Sequence, residues 1–324
     1  MTEALRIQNL AKQFAGVQAV AGISFSVNQG ELFGFLGPNG AGKTTTINML
    51  TGLARPDEGT IRIGGINCTE NIRGAQHLIG VVPDESNLYP ELTGFENLCF
   101  CAALYGLGKS ERQNRAHQLL EVFSLTQSGN RKFAGYSKGM KRKLTIAAGI
   151  IHRPDILFLD EPTTGIDVAS ARQVRTLIAD LHQSGTTIFL TTHYIEEAER
   201  LCRRVAIIVS GRIVAVDTVE ALLQPIQEKQ VLRISCMNPL GPMQKELVDS
   251  FPNLEFTFPE PNLARVESSQ RVPAGVLVRF LEEHGAEVLE ARRMRPSLED
   301  VFVRITGLEA EVMRKEKEKK GAGQ

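Results

Sequence analysis

One glycine-rich segment constrains the fold of this chain more than any other. Residues 37–44 read G-P-N-G-A-G-K-T and fit the pattern G-x-x-x-x-G-K-[ST] in full. The segment follows the apolar stretch Glu31–Leu36, which predicts a strand, and it opens the predicted helix Lys43–Leu53. Glycines let backbone N–H groups turn inward around an anion, and the positive end of the following helix faces the same anion. The pattern therefore predicts a strand–loop–helix unit that binds nucleotide phosphates.

The loop assigns individual roles. Lys43 is expected to reach the β- and γ-phosphates, and the Thr44 hydroxyl is expected to ligate Mg²⁺. The residues predicted to bind the nucleotide here are Gly37, Pro38, Asn39, Gly40, Ala41, Gly42, Lys43, Thr44 and Thr45.

A second apolar stretch ends in two acids. Ile156–Leu159 is followed directly by Asp160 and Glu161. A buried parallel strand delivers such carboxylates at its carboxyl end, where ligands of parallel sheets bind. Asp160 can orient Mg²⁺ through its water shell, and Glu161 can take a proton from an attacking water.

Composition limits the class of protein. The 324 residues predict about two domains, and 42% hydrophobic with 23% charged residues is ordinary for a globular protein. The 37 basic residues balance the 37 acidic ones, so no nucleic-acid partner is expected. The longest stretch without charge, Gln13–Gly30, is too polar to span a membrane. Five scattered cysteines without a signal peptide predict a cytoplasmic protein that reaches a membrane only through a partner.

The chain changes character near residue 225. Residues 1–224 alternate strands with helices, which predicts an α/β fold whose mixed sheet core carries an antiparallel β-subdomain and a helical insertion at Gly94–Phe123. Pro225 is expected to break a helix. Residues 225–307 then read βαββαβ, the order of a small α+β ferredoxin-like domain, with a last helix from Ser297. Residues 308–324 are Lys- and Glu-rich and predict a charged, frayed tail.

Together, the phosphate loop and the acidic strand resemble the ATP-binding subunit of an ABC transporter, and the resemblance covers Ala4–Gln224. Tyr136–Met140 stands where the family has its Leu-Ser-Gly-Gly-Gln signature, from which it departs at the first, third and fifth positions. Ser137 is placed to cap the following helix, and the Gly139 N–H can hold a γ-phosphate. In the family that phosphate belongs to the opposite subunit.

Three more positions follow from the resemblance. Thr163–Asp167 resembles the loop that crosses the dimer interface, which makes Asp167 a nucleotide-site candidate. His193, in the run T-T-H-x-x-x-E-A-E, resembles the switch histidine that contacts the γ-phosphate. Phe14 stands at the distance at which the family places an aromatic ring against adenine, and Phe25 is its rival.

One position departs from the family pattern. Asp84 stands where the family usually has the glutamine that senses Mg²⁺ and the attacking water, in a loop that touches the membrane subunit. A carboxylate can still ligate Mg²⁺. The change affects the expected tuning of hydrolysis rather than nucleotide binding.

The resemblance implies an ATPase subunit, with ATP and Mg²⁺ as cofactors, that powers a separate integral-membrane permease from the cytoplasmic face of the bacterial inner membrane. Two copies, or one copy and a related subunit, close head to tail. Asp84–Phe95, Tyr136–Met140 and Pro296–Phe302 resemble bacterial type 2 export systems. Two alternatives remain: a soluble ABC ATPase that acts on ribosomes or nucleic acid, and a nucleotide-gated regulatory module.

Overall fold

The structure, a computed structural model, describes residues 2–227, 230–241, 243–294 and 297–307. The predicted tail 308–324 and Pro296 lie outside the described residues. The strands are β1 Glu3–Phe14, β2 Val17–Asn28, β3 Leu32–Leu36, β4 Glu58–Ile63, β5 Ile66–Asn67, β6 Ile79–Val82, β7 Ile156–Asp160, β8 Thr187–Thr192, β9 Arg204–Val209, β10 Arg212–Thr218, β11 Gln230–Cys236, β12 Glu255–Glu260, β13 Leu263–Ser268 and β14 Val288–Met294. The helices are α1 Lys43–Leu50, α2 Cys68–Ala75, α3 Gly94–Leu104, α4 Lys109–Val122, α5 Lys138–Gly149, α6 Val168–Gln183, α7 Ile195–Leu201, α8 Val219–Gln227, α9 Met243–Ser250, α10 Ala274–Glu283 and α11 Leu298–Thr306.

A six-stranded sheet forms the centre of the first part of the chain, in the order β10-β9-β3-β8-β7-β6. Its strands β9, β3, β8, β7 and β6 are parallel, and β10 pairs antiparallel at the edge. All residues of β3, β7 and β8 are buried, as continuous apolar strands of a parallel sheet must be. The predicted mixed α/β sheet is confirmed.

An antiparallel sheet, β2-β1-β4-β5, shares a hydrophobic core with the central sheet. Phe25 from β2 stacks at 5.4 Å on Phe33 and at 5.9 Å on Phe189, so three strands meet in one aromatic cluster. This packing fixes the strand that precedes the phosphate loop against both sheets.

The helical insertion begins at a capping box. The Thr93 hydroxyl accepts from the Glu96 N–H, and the Glu96 carboxylate accepts from the Thr93 N–H. The sequence did not predict α2. Gly74 and the non-helical backbone of Asn71 interrupt its helical pattern, and the Asn67 side chain caps its start.

Residues 2–219 together with residues 305–307 form one compact unit, and the described residues of 220–304 form a second unit with its own core. Its sheet order β12-β13-β11-β14, antiparallel throughout, together with helices α9 and α10, is the predicted βαββαβ arrangement. The predicted helix break at Pro225 is wrong. Helix α8 continues through that proline to Gln227, although proline removes one N–H donor from a helix.

The last helix has a capping box of its own, since Ser297 and Asp300 exchange hydrogen bonds as their spacing predicts. Leu298, Val301 and Phe302 are buried, but Ile305 is 42% exposed, so the apolar face is one residue shorter than predicted. Within the described residues, no helix is both long and apolar enough to cross a membrane.

Candidate functional site

The phosphate loop depends on two glycines for its path. A Cβ atom on Gly37 would lie 2.3 Å from the Ile208 carbonyl oxygen, so only glycine fits there. Gly42 has a φ of 104° and would place a Cβ 2.5 Å from the Ala19 carbonyl oxygen. Gly42 is also the N-cap of α1 and has no side chain to cap it, so the first amides of the helix face the loop.

Lys43 lies at the centre of the site. Its ammonium donates to the carbonyl oxygens of Gly37 at 2.8 Å and Pro38 at 3.0 Å, and it pairs with Glu161 Oε1 at 3.2 Å. The residue is 5% exposed. A buried ammonium needs such partners, and phosphate oxygens can take their place.

The carboxyl ends of three adjacent strands bring the acidic residues to this lysine. Thr192, at the end of β8, is the register partner of Leu36, and its carbonyl accepts from the Gly37 N–H at 3.3 Å. Asp160 is the register partner of Thr191, whose hydroxyl donates to it at 2.5 Å. The edge of the sheet therefore holds the phosphate loop and both acids, as the sequence predicted for parallel strands.

Glu161 is held by its side chain in a strained backbone conformation. Its φ of +46° lies in the left-handed region, which costs roughly 1–3 kcal/mol for a non-glycine residue. Oε2 accepts from Thr164 Oγ1 at 2.9 Å and lies 2.9 Å from His193 Nδ1. Burial alone raises the pKa of Glu161, but the His193 hydrogen bond and the Lys43 charge outweigh it and lower that pKa to about 2. The carboxylate is therefore ionised, and its contacts with Thr164, His193 and Lys43 fix its orientation.

The three candidates at helix starts are also structural residues. Ser137 is the exposed N-cap of α5 and accepts from the Met140 N–H at 3.3 Å, which confirms the predicted cap. Asp167 caps α6 by accepting from the Ser170 N–H at 2.9 Å. A Cβ on Gly139 would lie 2.2 Å from Ser170 Oγ, so the two helices approach closely at this glycine.

Asp84 is fixed through its backbone by a residue that sequence reasoning missed. The buried guanidinium of Arg142, on α5, donates to the carbonyl oxygens of Pro83, at 2.6 Å, and Asp84. It also lies 3.6 Å from the Asp84 carboxylate, whose side chain is half exposed. Ser86 and Thr145 share a hydrogen bond of 2.8 Å one turn further along. The Asp84 loop is thus tied along the helix that Ser137 begins.

Phe14 ends β1 at the tip of a hairpin and is 49% exposed, with the Lys12 ammonium 5.2 Å from its ring centre. Phe25, the rival for the adenine-stacking role, is 8% exposed and belongs to the core. Of the two rings, Phe14 is the one that a ligand can reach.

Two hydrogen-bonding residues of the site lie in runs that the sequence motifs mark, but the sequence assigned neither of them a role. Thr164 bonds to Glu161 within one turn of the chain, whereas Glu197 bonds to Thr163 from 34 residues away, a contact that forms only in the folded chain. Thr164 lies in the loop Thr163–Asp167, and Glu197 is the glutamate that follows x-x-x in the run T-T-H-x-x-x-E-A-E.

Comparison with known proteins agrees with this geometry. The family described as "ABC transporter" matches residues 20–164. The linearmycin resistance ATP-binding protein of Bacillus subtilis (strain 168) is 36% identical over 307 residues, which cover 94% of this chain and 98% of the relative. This chain belongs to the ABC transporter family as an ATP-binding subunit. It is therefore an ATPase, and the predicted resemblance to type 2 export systems is confirmed.

Two further matches support the assignment of this ABC subunit. A Nod factor export ATP-binding protein of Burkholderia orbicola (strain AU 1054) is 37% identical and covers 93% of the chain and 96% of its own length. A solved dimeric ATP-binding cassette in a post-hydrolysis state, bound to ADP and Pi, has a TM-score of 0.61 and 25% identity. That match covers 66% of this chain and 98% of the cassette.

Proposed function

We propose that this subunit hydrolyses ATP with Glu161 as general base and Lys43 and His193 as the phosphate-binding side chains. The observation that carries the proposal is the pair of contacts at Glu161, in which one ionised carboxylate contacts both Lys43 and His193. Glu161 accepts the proton of the attacking water, and the amides of the phosphate loop stabilise the charge on the phosphates. The negative charge of a bound triphosphate offsets the positive charge of Lys43 beside Glu161. We therefore expect ATP binding to raise the pKa of Glu161.

Mg²⁺ is expected to arrive with the nucleotide. The described residues contain no group of three His, Cys, Asp or Glu side chains that could hold a metal ion. Magnesium usually retains water and substrate phosphates and needs only one or two protein oxygens. The Asp160 carboxylate at the sheet edge and the exposed Thr44 hydroxyl are hard oxygen donors of this kind, and Asp84 is a third candidate. The metal neutralises the phosphate charge.

The complete site is proposed to contain two copies of the chain, or one copy and a related subunit. Ser137 and Lys138 are exposed at the start of α5, so the positive end of this helix can face a phosphate on another molecule. The dimeric post-hydrolysis cassette among the structural relatives supports this arrangement. Each ATP then lies between the phosphate loop of one copy and Ser137 of the other, near the loop that Asp167 ends.

The subunit is proposed to act on the cytoplasmic face of a bacterial inner membrane, through a separate permease. Export is the direction that the Nod factor relative supports. Tyr89, in the loop before α3, and Phe100, on α3, are both exposed, and their rings lie 5.1 Å apart. Leu104, one turn after Phe100 on the same helix, is 71% exposed. We define these three residues as the α3 patch. An apolar patch next to the Asp84 loop suits a cytoplasmic helix of a permease.

The shared site is tested by mixing two inactive chains. Lys43→Ala removes the phosphate-binding lysine, and Ser137→Arg blocks the helix end. A mixed dimer has one site with both defects and one site with neither. We expect partial ATP turnover in the mixture and none in either chain alone. No recovery, together with normal dimer formation by sedimentation, would contradict the head-to-tail site.

A further inference from the structure

Glu197 is a buried carboxylate that the proposed hydrolysis does not use. It lies on α7, four residues after His193, and is 3% exposed. Oε1 accepts from Thr163 Oγ1 at 2.8 Å, and Oε2 has no hydrogen-bond partner among the described residues. Burial raises the pKa of Glu197. A carboxyl group buried at this cost, where an apolar side chain would pack more cheaply, needs a reason.

The reason lies in the two threonines that follow the acidic strand. Thr163 and Thr164 are consecutive, but their hydroxyls donate to different carboxylates: Thr163 to Glu197 and Thr164 to Glu161. Glu161 in turn contacts His193 Nδ1 at 2.9 Å. The contacts form a closed ring that runs from His193 through Glu161 to the threonine pair, then to Glu197 and back along the start of α7.

We propose that Glu197 is a positioning residue that holds Thr163 so that the next residue, Thr164, presents its hydroxyl to Glu161. In this role Glu197 couples two segments, the one that contains His193 and the loop 163–167. The inference rests on Glu161 being the general base.

The substitutions that test this proposal follow from the chemistry of the Glu197–Thr163 hydrogen bond. Thr163 needs an acceptor oxygen and not a charge, so Glu197→Gln keeps the contact at nearly constant volume. Glu197→Leu has a similar bulk without an acceptor, and Thr163→Val removes the donor without changing the shape of the side chain. Glu196 is a matched control, because it is the preceding residue of the same helix but its side chain is 68% exposed.

The experiment measures kcat and KM for ATP, and the affinity for ATP, in the full chain. A lost hydrogen bond that aims the base is expected to lower kcat about tenfold, with KM and ATP affinity changed less than about twofold. We expect this loss in Glu197→Leu and in Thr163→Val, and no further loss when the two are combined. Glu197→Gln and Glu196→Leu should retain more than half of the wild-type kcat.

Three results would overturn the proposal: losses that multiply in the double variant, a Gln variant as slow as the Leu variant, or unchanged kcat in Thr163→Val. If Glu197→Leu does not fold, Thr163→Val and Glu197→Gln still decide the question. Glu161→Gln is measured in parallel. Turnover by that variant would refute Glu161 as base, whereas the double-variant comparison tests the Glu197–Thr163 coupling independently.

Discussion

At the residue scale, Asp84 is the position that the sequence predicts to depart from the family pattern. Its carboxylate brings a negative charge close to the proposed triphosphate site, and Arg142 lies 3.6 Å away. The Asp84 carboxylate is half exposed, so the ion pair itself contributes at most about 1 kcal/mol to stability. The two carbonyl contacts of Arg142 keep the loop in place when the side chain at 84 is changed.

Asp84→Gln is therefore expected to remain active and to bind metal-free ATP more tightly, with a smaller gain for Mg-ATP, because a repulsive charge is lost. Asp84→Ala should lower turnover. The measurement is ATP affinity with and without Mg²⁺, and Glu85→Gln, which removes a charge one residue away, is the control. Identical metal dependence in wild type, Asp84→Gln and Asp84→Ala would show that the Asp84 carboxylate does not act on the nucleotide.

Glu161 makes a second prediction, for stability in acid without nucleotide. Its pKa of about 2 in the folded state lies below the reference value of 4.5. Between pH 2 and pH 4.5 the native state therefore binds fewer protons than the unfolded state. The stabilisation, up to about 3 kcal/mol, is present above pH 4.5 and is lost as pH falls toward 2. The difference in unfolding free energy between wild type and Glu161→Gln should shrink over that range. A constant difference would contradict the ionised, paired carboxylate.

Some residues of the site could be predicted from the sequence, and others are recognised only in the structure. Lys43, Asp160 and His193 follow from short motifs, because a strand end and a helix start fix where those side chains lie. Arg142 could not be predicted, since its contacts join positions about sixty residues apart and a lone arginine on a helix usually faces water. The role of Glu197 could not be predicted for the same reason, since its hydrogen bond with Thr163 joins positions 34 residues apart.

At the scale of elements, the meeting of α5 and α6 depends on Gly139. A methyl group there would lie 2.2 Å from Ser170 Oγ and 2.6 Å from its Cβ. Gly139→Ala is expected to destabilise the fold by about 1–3 kcal/mol, since overpacking forces the helices apart. Adding Ser170→Gly removes both clashing atoms and should restore most of that loss. Equal destabilisation in the single and double variants, measured by chemical unfolding, would show that the two helices do not meet there.

Element types were predicted better than element ends. The strands of the central sheet follow from continuous apolar runs, and the helices α3 and α4 lie within the predicted helical insertion Gly94–Phe123. The helix after the phosphate loop ends at Leu50 rather than at Leu53 as predicted, because Thr51 and Gly52 close it. Pro225 did not end the helix, which continues for two residues beyond it to Gln227 even though proline cannot donate a backbone hydrogen bond.

At the scale of the whole molecule, each compact unit has its own hydrophobic core. No residue of the proposed ATP site lies in the second core. Deleting residues 231–324 is therefore expected to leave ATP affinity within about twofold of wild type, and to weaken dimer formation or permease-coupled turnover. Loss of ATP binding in a truncated chain that still unfolds cooperatively would contradict this division.

The central claim is that Glu161 is the base of an ATP-hydrolysing subunit, and one variant tests it most directly. Glu161→Gln keeps the volume and the acceptor oxygen for Thr164 but cannot accept a proton. A positioned base contributes about 10²–10⁴-fold to the rate, so steady-state hydrolysis should fall by at least about a hundredfold. ATP binding should persist, and the variant should accumulate as an ATP-bound dimer in sedimentation or light scattering. Hydrolysis near the wild-type rate by the purified variant would show that another group activates the water.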